Sequence, residues 1–183
     1  MIIVDCETTG LEPYRHALVS VGAVKYEEQH KTFYSEMKPI DGTEISERAL
    51  EVNGYSYEYL QAIETTTTEA LRKFGKWVNW EVEASYPMHF IGGFNTHFDA
   101  EFINVSYQRV IESGSYMSPP YFDFHYLDLY SVFQSKIGPM EHPGIGLKRI
   151  CEYLGVKPEP EPHNALNGAK KTAECLRILL EEY

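Results

Sequence analysis

Three short segments rich in β-branched and aromatic residues lie within the first 37 positions, and this crowding narrows the fold more than any other feature. Ile2 to Cys6 is an apolar run that meets an acid at Asp5. Leu18 to Tyr26 and Thr32 to Met37 alternate in character. A period of two sends successive side chains to opposite faces of a strand, so these segments predict an opening antiparallel meander. After that the period changes. Short helices are expected over 46–52 and 56–62. A longer one is expected from about Thr68 to Val82, where Ala70, Leu71, Phe74, Trp77 and Val78 recur at helical spacing. Met88 to Gly92 reads as a buried strand, Thr96 to Ile111 as a helix and Phe122 to His125 as a strand. Leu127 to Gln134 and Leu147 to Leu154 read as helices. In the final helix Leu166, Ala169, Ala173, Leu176 and Leu180 step by threes and fours into one apolar stripe. Strands first, then strands alternating with helices, indicate one α/β domain over residues 1–183: a mixed sheet, antiparallel then parallel, flanked by helices.

The chain carries a formal charge of −11, which opposes tight binding along a long duplex, because phosphate backbones favour basic surfaces. It does not oppose chemistry at a chain end, where divalent cations gathered by carboxylates can hold the phosphate. No apolar run approaches the ~20 residues that span a bilayer, and Met1 to Asp5 lacks a basic leader. No membrane and no cleaved signal peptide are therefore expected, and the expected setting is cytoplasmic. Cys6, Cys151 and Cys175 fit no zinc or redox motif and read as buried, reduced thiols.

Three segments carry chemistry. Asp5 and Glu7 end the first strand two residues apart, so their carboxylates share a face while Cys6 turns away. Paired hard oxygens suit Mg²⁺ or Mn²⁺, though a solvated strand end reads the same way. Asp99 lies in Asn95 to Ile103, in the first turn of a helix that Asn95 or Thr96 can cap. Phe98 and Phe102 share one face of that helix. His163 stands just before the last helix, where a neutral imidazole could take a proton from water.

In this order, acid-x-acid on the first strand, Asn-x-x-Phe-Asp-x-x-Phe mid-chain and His-x-Ala at the last helix, the chain resembles the DEDDh (DnaQ-like) 3′–5′ exonucleases of the ribonuclease H-like superfamily. The resemblance runs from Val4-Asp5-Cys6-Glu7-Thr8-Thr9-Gly10-Leu11 to Thr172-Ala173. It implies removal of mononucleotides from single-stranded DNA or RNA 3′ ends with two Mg²⁺ or Mn²⁺ ions. Asp5, Glu7 and Asp99 would be the ligands, His163 the general base, and Thr8, Thr9, Leu11 and Phe98 the seat of the terminal nucleotide. A polymerase or a second copy of the chain is left open as a partner.

One position departs. The family's last motif is His-x-x-x-x-Asp, and five residues beyond His163 stands Gly168. Asn167 is adjacent, but one helical step turns a side chain by ~100°, so it is no simple substitute. Fewer negative ligands should weaken a hard-cation site without collapsing the fold. Two other readings stay open: a weak or inactive domain that binds nucleic-acid ends or a protein, and a phosphodiesterase for very short oligonucleotides.

Overall fold

The computed structural model describes residues 1–81, 89–138 and 145–181. Five strands form one sheet in the order β3-β2-β1-β4-β5: β1 (Ile2–Thr8), β2 (Leu18–Lys25), β3 (Thr32–Glu36), β4 (His89–Gly93) and β5 (Phe122–Asp128). β1, β2 and β3 pair antiparallel, as the sequence predicts, while β4 and β5 add in parallel beside β1. Parallel neighbours need long crossovers, which the helices supply. These are α1 (Glu47–Asn53), α2 (Tyr57–Ala62), α3 (Thr67–Glu81), α4 (Thr96–Glu112), α5 (Leu129–Ile137), α6 (Leu147–Tyr153) and α7 (Ala165–Glu181).

Alternation along β1 divides the core in two. Ile2, Val4 and Cys6 pack with Leu71 and Phe74 of α3 and with Phe102 and Ile103 of α4. Ile3 packs on the other face with Phe133 of α5, Ile150 of α6 and Leu176 of α7. The result is a sheet between two helical layers, each buried large apolar side chain contributing ~1.5–3 kcal/mol. Asp5, two residues beyond Ile3, falls on the α7 side.

Two expectations are corrected. Leu127 and Asp128 are strand rather than helix, because they extend the ladder with β4 (Gly92 opposite Leu127, Gly93 opposite Asp128). Leu180 is 46% exposed, and the fully buried Leu179 takes its place on the α7 stripe. All three cysteines are buried and free, as the sequence predicts, and the sulfurs of Cys151 and Cys175 lie 3.6 Å from each other. Val82 and Met88, the expected ends of two elements, lie outside the described residues. Among the described residues no helix is long and apolar enough to cross a membrane.

Two glycines seat the start of α7. Gly22 stands opposite Asp5 in the β1–β2 register, and a Cβ on it would run into the main chain of Ala165 and Leu166. One turn along, a Cβ on Gly168 would come within 2.8 Å of Asp5 Cγ. The first turn of α7 therefore lies directly on the Asp5–Gly22 pair.

Candidate active site

The carboxylates gather where the C-terminal end of β1 meets the starts of α4 and α7. Glu7 and Asp99 are buried, at 8% and 2% exposure, and Asp5 is half-buried. Burial disfavours the charged form, and like charges add to that penalty. Burial pushes Asp5 well up, and the charges of Asp99, Glu7 and Glu159 push it further. Glu7 is pushed up to about 8 by burial and then by Glu159. Asp99 is also raised by burial, against hydrogen bonds from Cys6 that favour its charged form. The three acids singled out in the sequence thus lie close enough to act on one another.

The start of α4 is held by a residue that local reading missed. Asn95 is its N-cap but makes no side-chain capping bond; its backbone is left-handed, with φ 58°. The cap is Asp128 from the end of β5. Its Oδ1 accepts the Asn95 main-chain N–H at 2.7 Å and that of Thr96 at 3.4 Å. Its Oδ2 accepts the N–H and hydroxyl of Ser131, capping α5 as well. One carboxylate fixes two helix starts and, through α4, the position of Asp99.

Beside the acids opens a hollow of about 260 Å³, bordered by Glu7, Thr8, Leu11, Arg48, Asn53 and Phe98 among others. Leu11 is 80% exposed at its rim. Phe98 packs against Phe102 with the rings tilted by 53° and centroids 4.8 Å apart, so it belongs to both the wall and the core. Thr8, Leu11 and Phe98, three of the four residues expected to seat a nucleotide, border this one hollow together. Thr9, the fourth, is fully buried and does not border it. Its hydroxyl donates to the Glu44 carbonyl and accepts from Ala17 N–H. Its main-chain N–H and carbonyl are taken by Ala17 and Ser46. Asn53, which sequence reasoning did not single out, steadies the hollow by donating to the Thr8 carbonyl at 3.1 Å.

His163 is 45% exposed, and its Nδ1 lies 3.1 Å from Glu159 Oε1. If Nδ1 carries the proton toward that carboxylate, Nε2 is left as the acceptor. Asn167 borders a second hollow together with His163, Tyr55 and Tyr59, while Gly168 lies against Asp5. Adjacent residues thus point differently, as a helical step requires.

The donor chemistry fits a hard divalent cation: several shielded carboxylates push on one another, and one buried carboxylate oxygen, Glu159 Oε2, makes no hydrogen bond of good geometry. Among the described residues, however, no three His, Cys, Asp or Glu side chains form a ready cation cage. The carboxylates cluster by charge without yet converging on one point.

The profile of the RNase_T exonuclease family matches residues 2–176. The chain is 32% identical to the Escherichia coli 3′–5′ DNA exonuclease Cap18 over 97% of its own length and 90% of that protein's. It is 26% identical to a PolC-type DNA polymerase III of Thermotoga petrophila, spanning 98% of this chain but only 12% of the polymerase. The nuclease domain of 3′hExo, a DEDDh protein solved with rAMP bound, superposes with a TM-score of 0.75 at 18% identity, covering 98% of this chain and 91% of that one. With the family profile across nearly the whole length and a relative above 30% identity matched over 90% of its own length, the chain belongs to the RNase_T exonuclease family and shares the fold of a DEDDh nuclease domain.

Proposed function

We propose that the protein is a metal-dependent 3′–5′ exonuclease that releases nucleoside monophosphates from single-stranded DNA ends. The observation that carries this reading is the cluster of Asp5, Glu7 and Asp99, acids close enough to act on one another, of which Glu7 also borders the Leu11–Phe98 hollow. DNA is preferred over RNA because the 32% identical relative Cap18 is a DNA exonuclease.

Asp5, Glu7 and Asp99 would hold Mg²⁺ or Mn²⁺, which supplies positive charge against the scissile phosphate and acidifies a nearby water. Every other part of the work falls to the chain itself. His163, exposed to solvent and held through Nδ1, takes the proton of the attacking water at Nε2. Leu11 and Phe98 seat the terminal base by apolar contact, without reading its sequence. Arg48, on the same wall, offers a positive charge to a phosphate of the strand. A hollow of about 260 Å³ accommodates a chain end rather than a duplex, consistent with the net charge of −11.

The test is release of mononucleotides from a 3′-labelled single-stranded oligonucleotide with Mg²⁺ or Mn²⁺, in parallel with a 5′-labelled control and an RNA of the same sequence. Stepwise loss from the 3′ end of DNA, abolished in Asp5→Ala, is expected. Activity that appears only in Gly168→Asp would instead favour a domain impaired at one ligand, a reading that the contact between Gly168 and Asp5 motivates. No activity from either folded protein would sink the catalytic reading.

A further inference from the structure

Glu159 lies between two prolines on the approach to His163, in a stretch whose other acid, Glu161, is 76% exposed. Its own side chain is only 12% exposed. A buried carboxylate is costly unless both oxygens find partners. One does: Oε1 meets His163 Nδ1 at 3.1 Å. The other, Oε2, is fully shielded and makes no hydrogen bond of good geometry, although the Asn164 main-chain N–H close by favours the charged form. The surroundings make the burial harder still, since the charge of Glu159 acts on both Asp5 and Glu7, like upon like. A cation would remove the repulsion and give the orphaned oxygen a partner at once.

We propose that Glu159 completes the acid cluster: Oε2 serves as a further carboxylate for the divalent cation, while Oε1 holds His163 in place. This rests on the cation-dependent reading of the site given above. It also accounts for Gly168. A side chain there would press on Asp5, so α7 contributes no carboxylate, and the acid arrives instead from the proline-flanked loop that precedes the helix. Proline fixes φ and resists helix, which keeps Glu159 out of α7.

The experiment is calorimetric titration of the cation-free full chain with Mn²⁺ alone, without nucleic acid, followed by thermal melting in chelator. Glu159→Gln keeps the shape of the side chain and removes its charge. It should weaken Mn²⁺ binding at least tenfold, while Glu161→Gln, on the same loop but exposed, leaves it unchanged. Asp5→Asn serves as the reference for the site as a whole. If Asp5→Asn loses Mn²⁺ and Glu159→Gln binds as tightly as the parent, the proposal falls and the cation site stands. If neither variant changes the affinity, both readings fall together. A merely structural ion pair with His163 predicts a lower melting temperature for Glu159→Gln in chelator with Mn²⁺ affinity intact, and that pattern also overturns the proposal. Relief of repulsion among the acids predicts a melt at least as high as the parent's.

Discussion

Raising the pH in chelator should destabilise this protein over a range in which most proteins are near their optimum. Glu7 titrates near 8 in the folded chain against an ordinary 4.5, so the folded state keeps a proton that the unfolded chain has released. Stability from that proton is fully present below about 4.5 and is lost as pH rises through about 8. At ~1.4 kcal/mol per unit, a difference of 3.5 units is worth on the order of 5 kcal/mol, an upper bound for one member of a mutually repelling set. Of this, about 2 kcal/mol falls between pH 6.5 and 8. That upper part of the window is the cleaner one. His89, buried and lowered from 6.5, works in the opposite direction, and its effect fades above its ordinary value. The acids held low by partners, such as Glu28 and Glu44, titrate below the window altogether. Urea unfolding followed by circular dichroism at several pH values, in chelator, measures the slope. Glu7→Gln should flatten it and should exceed the parent in stability at pH 8. A parent whose stability rises from pH 6.5 to 8, or a variant with an unchanged slope, would refute the account of a crowded, shielded cluster.

Other perturbations test the scaffold around the acids. Asp128→Ala removes the shared cap of α4 and α5 and should cost ~1–3 kcal/mol by denaturant titration, while Ser131→Ala, which leaves three of the four bonds to Asp128, should cost less. Gly22→Ala forces α7 off the sheet against main chain, so a loss of ~1–3 kcal/mol should come with a drop in nuclease rate larger than that instability explains. Leu11→Ala, at an exposed rim, should leave the melting temperature within about a degree and raise KM several-fold with kcat little changed; an unchanged KM would remove Leu11 from the nucleotide seat.

What the sequence disclosed and what it hid divide along one physical line. The alternation of Ile2, Val4 and Cys6 against Ile3 and Asp5 is set by the pleat itself, so both core faces and the acid pair were legible from a few neighbouring residues. The stripe on α7 was legible for the same reason, missing only which of Leu179 and Leu180 turns inward at its far end. Leu127 and Asp128 were misread because their strand character depends on pairing with β4, some 35 residues earlier, and no local period records that. Asp128 as a double cap was hidden likewise: its partners Asn95 and Thr96 are 33 and 32 residues away. Glu159 was invisible for another reason. The motif around His163 counts forward along the helix to position 168, whereas the carboxylate that approaches the cluster lies four residues behind, in a loop with no period at all.

The same contrast explains why a glycine at 168 and a compact acid cluster occur together. Asp5 faces α7 because β1 alternates, and Gly22 opposite it lets the helix start come down onto the strands. Once the helix is that close, the space over Asp5 is filled by Asp5 itself, and any β-carbon at 168 must displace its carboxylate. A new acid at 168 would therefore bring charge and steric pressure to the same spot, moving Asp5 before adding a ligand. A carboxylate from the preceding loop escapes that conflict, since it does not start from the helix position that presses on Asp5, and it pairs with His163. Gly168→Asp alone is thus expected to help less than its added charge suggests. If Gly168→Asp raised Mn²⁺ affinity in the parent as strongly as it did in a Glu159→Gln background, the two carboxylates would be independent, and Glu159 could not be occupying the role of the absent one.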